Sequence, residues 1–163
     1  MTRHVRASIL LLGASLVLAT DAGAGTDTGL LSVTATVESS CALDGGTLSF
    51  GTYLSGQNGN LDAAGSISYV NCPPGTITFE LDGGFSGDIA NRVMLNGGSE
   101  LKYQLYRDPA RAAVFGTGAN SQSVLLLGPG TLSSTLPVYG RIPGNQGVAA
   151  GAYSDTVNVT LTF

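Results

Sequence analysis

Short stretches in which apolar and polar residues alternate recur along this chain, separated by Gly, Asn, Asp and Pro. Period-two alternation builds strands with one buried and one solvated face, and helical periodicity is hard to find after residue 24. Predicted strands are Leu48–Tyr53, Ser66–Val70 running into Cys72, Thr76–Leu81, Leu101–Tyr106, Ser123–Leu127, Leu136–Ile142 and Asp155–Phe163. Asp82-Gly83-Gly84 and Asp108-Pro109 read as turns after their strands. Residues 57–65, 116–120, 128–130 and 144–151 are glycine-rich and read as loops. Short strands at this spacing specify an antiparallel sandwich rather than a βαβ protein. Most aromatic residues (Phe50, Tyr69, Phe79, Tyr103, Tyr139, Tyr153 and Phe163) are expected to pack its core.

The most distinctive alternation comes early. Leu31, Val33, Ala35 and Val37 alternate with Ser32, Thr34, Thr36 and Glu38. Ahead of it lie the charges Arg3, His4 and Arg6, an apolar run over residues 7–19, and the small residues Ala22-Gly23-Ala24. That three-part layout reads as a secretory signal, residues 1–24, cleaved after Ala24, with Ala19 the alternative. Its apolar run is short for a membrane span, and no later segment reads as one, so the exported product is expected not to be membrane-integral. The alternating strand then sits at a new N-terminus, where a chain can leave its own fold. On periodicity alone, pairing within its own sheet is the favoured reading.

Residues 25–163 suit a single domain. They hold ten carboxylates against five basic side chains, a balance with no footprint for nucleic acid. The chain's one histidine is His4, so residues 25–163 cannot build a Ser-His-Asp or Cys-His nucleophile. No calcium loop or phosphate loop is present, and the spread carboxylates leave a hydrolase as a third-ranked alternative without a constellation behind it. No metal site, cofactor or catalytic residue is expected. Cys41 and Cys72, an even pair in an exported chain, read as a disulfide, with two buried thiols as the alternative.

Several segments together resemble the spore-coat-protein-U domain family, which includes pilins of the archaic, Csu-type chaperone–usher pathway. They are the Cys41 segment, Leu48-Ser49-Phe50-Gly51, residues 67–72 ending at Cys72, Leu81-Asp82-Gly83-Gly84 and residues 101–108. Val138-Tyr139-Gly140-Arg141-Ile142 and residues 150–156 follow, then a terminal strand closing on an aromatic. The stretch between Cys41 and Phe50 is shorter than the family's pattern. The resemblance implies an all-β fold: an incomplete immunoglobulin-like antiparallel β-sandwich lacking its final strand, completed by donor-strand exchange. It divides the exported chain into a donor-strand extension, residues 25–40, and a pilin β-sandwich domain, residues 41–163.

The partners it implies are a periplasmic chaperone, an outer-membrane usher and neighbouring pilin subunits, giving a homopolymer. The product would be a cell-surface fimbria, reached through the periplasm, serving adhesion and biofilm formation. The donor face is then Leu31, Val33, Ala35 and Val37, with Gly29 at a constricted position. The last strand, Val157, Val159, Leu161 and Phe163, would anchor against the chaperone. A sandwich whose last core strand ends at the carboxylate is expected to take a further strand from elsewhere. The competing reading is a monomeric secreted coat or binding module with a closed sandwich.

Overall fold

The computed structural model describes residues 25–38, 40–128 and 133–163. The expected signal segment, its cleavage sites and part of the 128–130 loop lie outside these residues. Val37–Phe163 forms one compact unit, distinct from the residues before it. Its strands are β1 (Ala42–Thr47), β2 (Leu61–Val70), β3 (Gly75–Leu81), β4 (Val93–Asn96), β5 (Ser99–Lys102), β6 (Gln104–Tyr106), β7 (Gln122–Leu126), β8 (Ser134–Ile142) and β9 (Val159–Thr162). One sheet runs β1-β2-β8-β6, a second β7-β3-β9, and β4-β5 form a hairpin. Every ladder is antiparallel.

The alternation in the sequence is what fills the space between the sheets. Ile77, Phe79 and Leu81 of β3 are buried while Thr76, Thr78 and Glu80 face outward, and Leu136, Val138 and Ile142 do the same for β8. Tyr69 and Phe79 meet with ring centroids 5.2 Å apart, which joins the two sheets through one core. Cys41 and Cys72 form the disulfide, tying the start of β1 to the segment between β2 and β3. β1 pairs with β2 through a ladder that slips between Leu43 and Gly45, a bulge made possible by Gly45 at φ 94°.

Several expectations need correction. Leu48–Tyr53 alternates but joins no ladder: Leu48 and Phe50 reach the core by lying across Gly140 of β8, where a Cβ would collide with the Phe50 ring. Leu101–Tyr106 is two strands, because residues up to Lys102 pair with β4 whereas Gln104–Tyr106 pair with β8. The second half of the expected 57–65 loop is the start of β2. Of Asp155–Phe163, only Val159–Thr162 forms a strand. Tyr139 lies half-buried on the outer face, with the Arg111 guanidinium 6.0 Å from its ring centroid. Phe163 is 55% exposed rather than in the core. Residues 30–38 form no strand, and Leu31, Val33 and Val37 are each more than four-fifths exposed (87%, 81% and 93%).

Candidate functional site

The unit formed by residues 37–163 does not close on itself. A cleft of about 530 Å³ opens between the sheets, with β1 from Leu43 to Thr47 on one rim and residues 154–159 on the other. Its floor includes Ile67, Leu81, Leu105 and Val138, which belong to the hydrophobic core. A second cleft of about 670 Å³ continues from it, the two sharing Leu48, Phe50, Met94 and Tyr153. Together they make a slot with an apolar floor that runs past residues 48–55 and 148–153, two stretches that lie in no strand.

β9 forms the free edge beside this slot, since it pairs with β3 and stands last in its sheet. Val157, Val159 and Leu161 are half-buried, whereas Asn158, Thr160 and Thr162 are exposed. Val157 and Val159 line the slot and Leu161 packs on the core. Asp82 N–H donates to the Asn158 carbonyl at 3.1 Å, so Asn158 is bonded toward the β3 side. Hydrogen-bonded and non-bonded pairs alternate along an antiparallel ladder. The backbone groups of Val157, Val159 and Leu161 therefore point away from β3. This edge presents both unsatisfied main-chain groups and apolar side chains, the combination that accepts an added strand.

A polar cluster underlies the 154–159 rim. Arg92 is fully buried, and its guanidinium donates to the Asp82 carbonyl from Nε (3.0 Å) and Nη2 (2.6 Å). It also donates to the Leu81 carbonyl at 3.3 Å and, through Nη1, to Gln104 Oε1 at 2.7 Å. Burial lowers its pKa, opposed by the charges of Asp82, Asp155 and Asp88 and by Tyr103. Because Arg92 takes the Asp82 carbonyl, the Asn158 amide turns to the Asp82 side chain, donating to Oδ1 at 2.9 Å. Burial raises the Asp82 carboxyl, but hydrogen bonds from Asn158 and Gly84, with the Arg92 charge, outweigh it and leave its pKa below the ordinary value. Tyr103 Oη donates to Asp155 Oδ2 at 2.6 Å, and burial with that bond drives the phenol pKa far upward.

Of the site residues expected from sequence, Val157 and Val159 line the slot and Leu161 packs beside it, while Phe163 is solvent-exposed. Gly29, Leu31, Val33, Ala35 and Val37 are exposed and joined to no ladder. Sequence reasoning missed Arg92, Asp155 and Tyr103 as a cluster and read Asp82 as a turn residue only. Only Asp82, beside Gly83-Gly84, carried a local signal, and nothing in the sequence linked it to Arg92, Tyr103 or Asp155. Among the described residues, no three His, Cys, Asp or Glu side chains gather as a metal site. No helix there is long and apolar enough to cross a membrane.

Two open antiparallel sheets around an unfilled apolar slot define a β-sandwich with an open flank. The chain belongs to the Spore Coat Protein U domain family, whose model matches residues 27–160. Membership places it among structural proteins rather than enzymes. It is similar to Protein U of Myxococcus xanthus, 35% identical over 167 aligned positions that cover 92% of each chain. Among solved structures it resembles a chain in the CsuC–CsuE chaperone–tip adhesion subunit pre-assembly complex from archaic chaperone–usher Csu pili of Acinetobacter baumannii. That likeness has 20% identity and a TM-score of 0.48, covering 72% of this chain and 39% of the other.

Proposed function

We propose that this chain is a structural pilin subunit, exported through the periplasm and polymerised into a cell-surface fimbria by the chaperone–usher pathway, for adhesion and biofilm formation. Residues 41–163 are the strand-accepting, immunoglobulin-like domain, and residues 25–40 are the extension that completes a neighbouring copy. Leu31, Val33, Ala35 and Val37 enter the neighbour's slot, with Gly29 at its narrow end. A periplasmic chaperone fills the slot first, pairing along Val157, Val159 and Leu161 and anchoring Phe163, until exchange at the outer-membrane usher.

The observation that carries this reading is the apolar slot beside the free edge of β9. Above a floor of buried core residues its lining leaves Leu43, Leu48, Phe50, Met94, Val157 and Val159 only half-buried, and the chain itself supplies a segment with the matching period. Burying Leu31, Val33 and Val37 stabilises the product by roughly 1.5–3 kcal/mol per side chain, and the added ladder satisfies backbone groups expensive to leave unpaired. Release should therefore be very slow.

The family's description as a spore coat domain favours a second reading, a monomeric secreted coat or binding module. Size-exclusion chromatography of the exported chain without a chaperone separates the two. Polymer ladders, self-complemented species or aggregation support the pilin. A stable monomer that captures no added strand supports the coat module and refutes the pilin.

A further inference from the structure

We propose that Asp82, Asp155 and Tyr103 form a polar bracket that holds residues 154–159 at the rim of the empty slot and keeps it open for strand uptake. This rests on the strand-accepting reading above. Such a slot is driven to close, because collapse of its rims would take half-buried apolar side chains such as Leu48, Phe50 and Val157 further from water. Residues 154–158 lie in no extended ladder that would resist such collapse. What resists it is a row of directional bonds.

Ser154 and Leu95 exchange both main-chain bonds, at 2.9 and 3.1 Å. Asn158 makes three bonds to Asp82: carbonyl to amide at 3.1 Å, amide to Oδ1 at 2.9 Å, and Nδ2 to Oδ2 at 2.6 Å. Between them, Asp155 accepts from the Phe85 amide at 2.9 Å and from Tyr103 Oη at 2.6 Å. The bonds of Ser154, of Asn158 and of the Phe85 amide draw the rim toward β4, the end of β3 and the 83–86 turn, that of Tyr103 ties Asp155 to the residue between β5 and β6, and none of these draws it toward β1.

The bracket is itself anchored. Gly84 packs its backbone against the Asp155 carboxylate, where no Cβ would fit, and its amide donates to Asp82 Oδ1 at 2.9 Å. The buried Arg92 guanidinium donates to the Asp82 carbonyl and so fixes the main chain from which the Asp82 carboxylate reaches Asn158. Tyr103 joins rim to floor: its hydroxyl holds Asp155, and its ring meets Phe50, a slot-lining side chain, edge-on at 6.0 Å. These groups preorganise the empty state. Their loss lowers the fraction of molecules ready to accept a strand, and apparent affinity falls by that fraction through the association rate.

The test uses the full exported chain and a fluorescent synthetic peptide of residues 28–38, with uptake and release followed by anisotropy. Tyr103→Phe and Asn158→Ala are compared with wild type and with Thr78→Ala, which removes a 3.0 Å hydroxyl contact with Ser123 on the outer face. The expected result is uptake slowed about tenfold in both bracket variants, release unchanged, and Thr78→Ala at the wild-type rate. If Tyr103→Phe fails to fold by circular dichroism, Asn158→Ala decides. Wild-type uptake rates in the bracket variants, or release altered as much as uptake, overturn the bracket while leaving the strand-accepting reading intact. A wild-type chain that takes up no peptide overturns both.

Discussion

Replacing Val33 with Asp separates the proposed donor face from ordinary folding. Val33 is 81% exposed in the chain on its own, so the substitution changes nothing buried there. Its effect on the unassembled unit should stay within about 0.5 kcal/mol, as for other surface changes. In an assembled product the same position would lie in a neighbour's slot. Losing the valine there forfeits roughly 1.5–3 kcal/mol of burial. Seating a carboxylate in an apolar slot adds several kcal/mol of desolvation. A combined loss of at least about 4 kcal/mol corresponds to on the order of a thousandfold in affinity. Thr34→Asp places the same charge one residue along, on the opposite face of the strand, and should leave assembly near normal. The assay is the ladder of polymers on gels of unheated surface extracts, with melting of the chaperone-bound subunit as the folding control. If V33D and T34D assemble alike, whether both normally or both poorly, the assignment of alternate residues to the slot is refuted.

Removal of the Cys41–Cys72 bridge by Cys41→Ser, with its separation of 31 residues, should destabilise the domain by about 3.5–4 kcal/mol on the chain-entropy estimate. Urea melts with and without reductant check this, and equal midpoints would contradict it. Gly84→Ala forces a Cβ onto a backbone at φ 60° and into the Asp155 carboxylate, a loss of at least about 1–2 kcal/mol, seen as a lower melting temperature. In acid, Asp62, held low by its hydrogen bonds from Arg141, and Asp82 both have pKa values below their ordinary ones. Their stabilisation is present above about pH 4 and lost as pH falls through the folded values. Urea midpoints should therefore be flat from neutral pH to about 4 and decline below it, and Asp62→Asn should shrink that decline.

The core strands were legible because one face of each is buried and the other is wet. Thr76–Leu81 and Leu136–Ile142 alternate cleanly, and their pattern carries through to Ile77, Phe79, Leu81, Leu136 and Val138 inside. Leu48–Tyr53 misled because alternation records which side chains reach the core, not whether the main chain has a ladder partner; glycine at 140 lets this stretch cross the sheet instead. β4, Val93–Asn96, carries no alternation signal, since its hairpin turns on Gly97 and Gly98 and its strands are only four residues long. The slot's apolar rim, Val157 and Val159, could be read from period two. Its polar supports could not, because Asp82, Tyr103 and Asp155 lie far apart in sequence and meet through tertiary packing.

The bridge at Cys41 also sets where a pulling force would enter the domain. Tension on residues before Cys41 can pass through covalent bonds to Cys72, three residues ahead of β3, the central strand of its sheet. β1 is thereby relieved of the load, though its bulged ladder with β2 is the contact a tug from that end would otherwise unzip. Under reducing conditions the same tug would peel an edge strand bond by bond, and one wall of the slot would go with it.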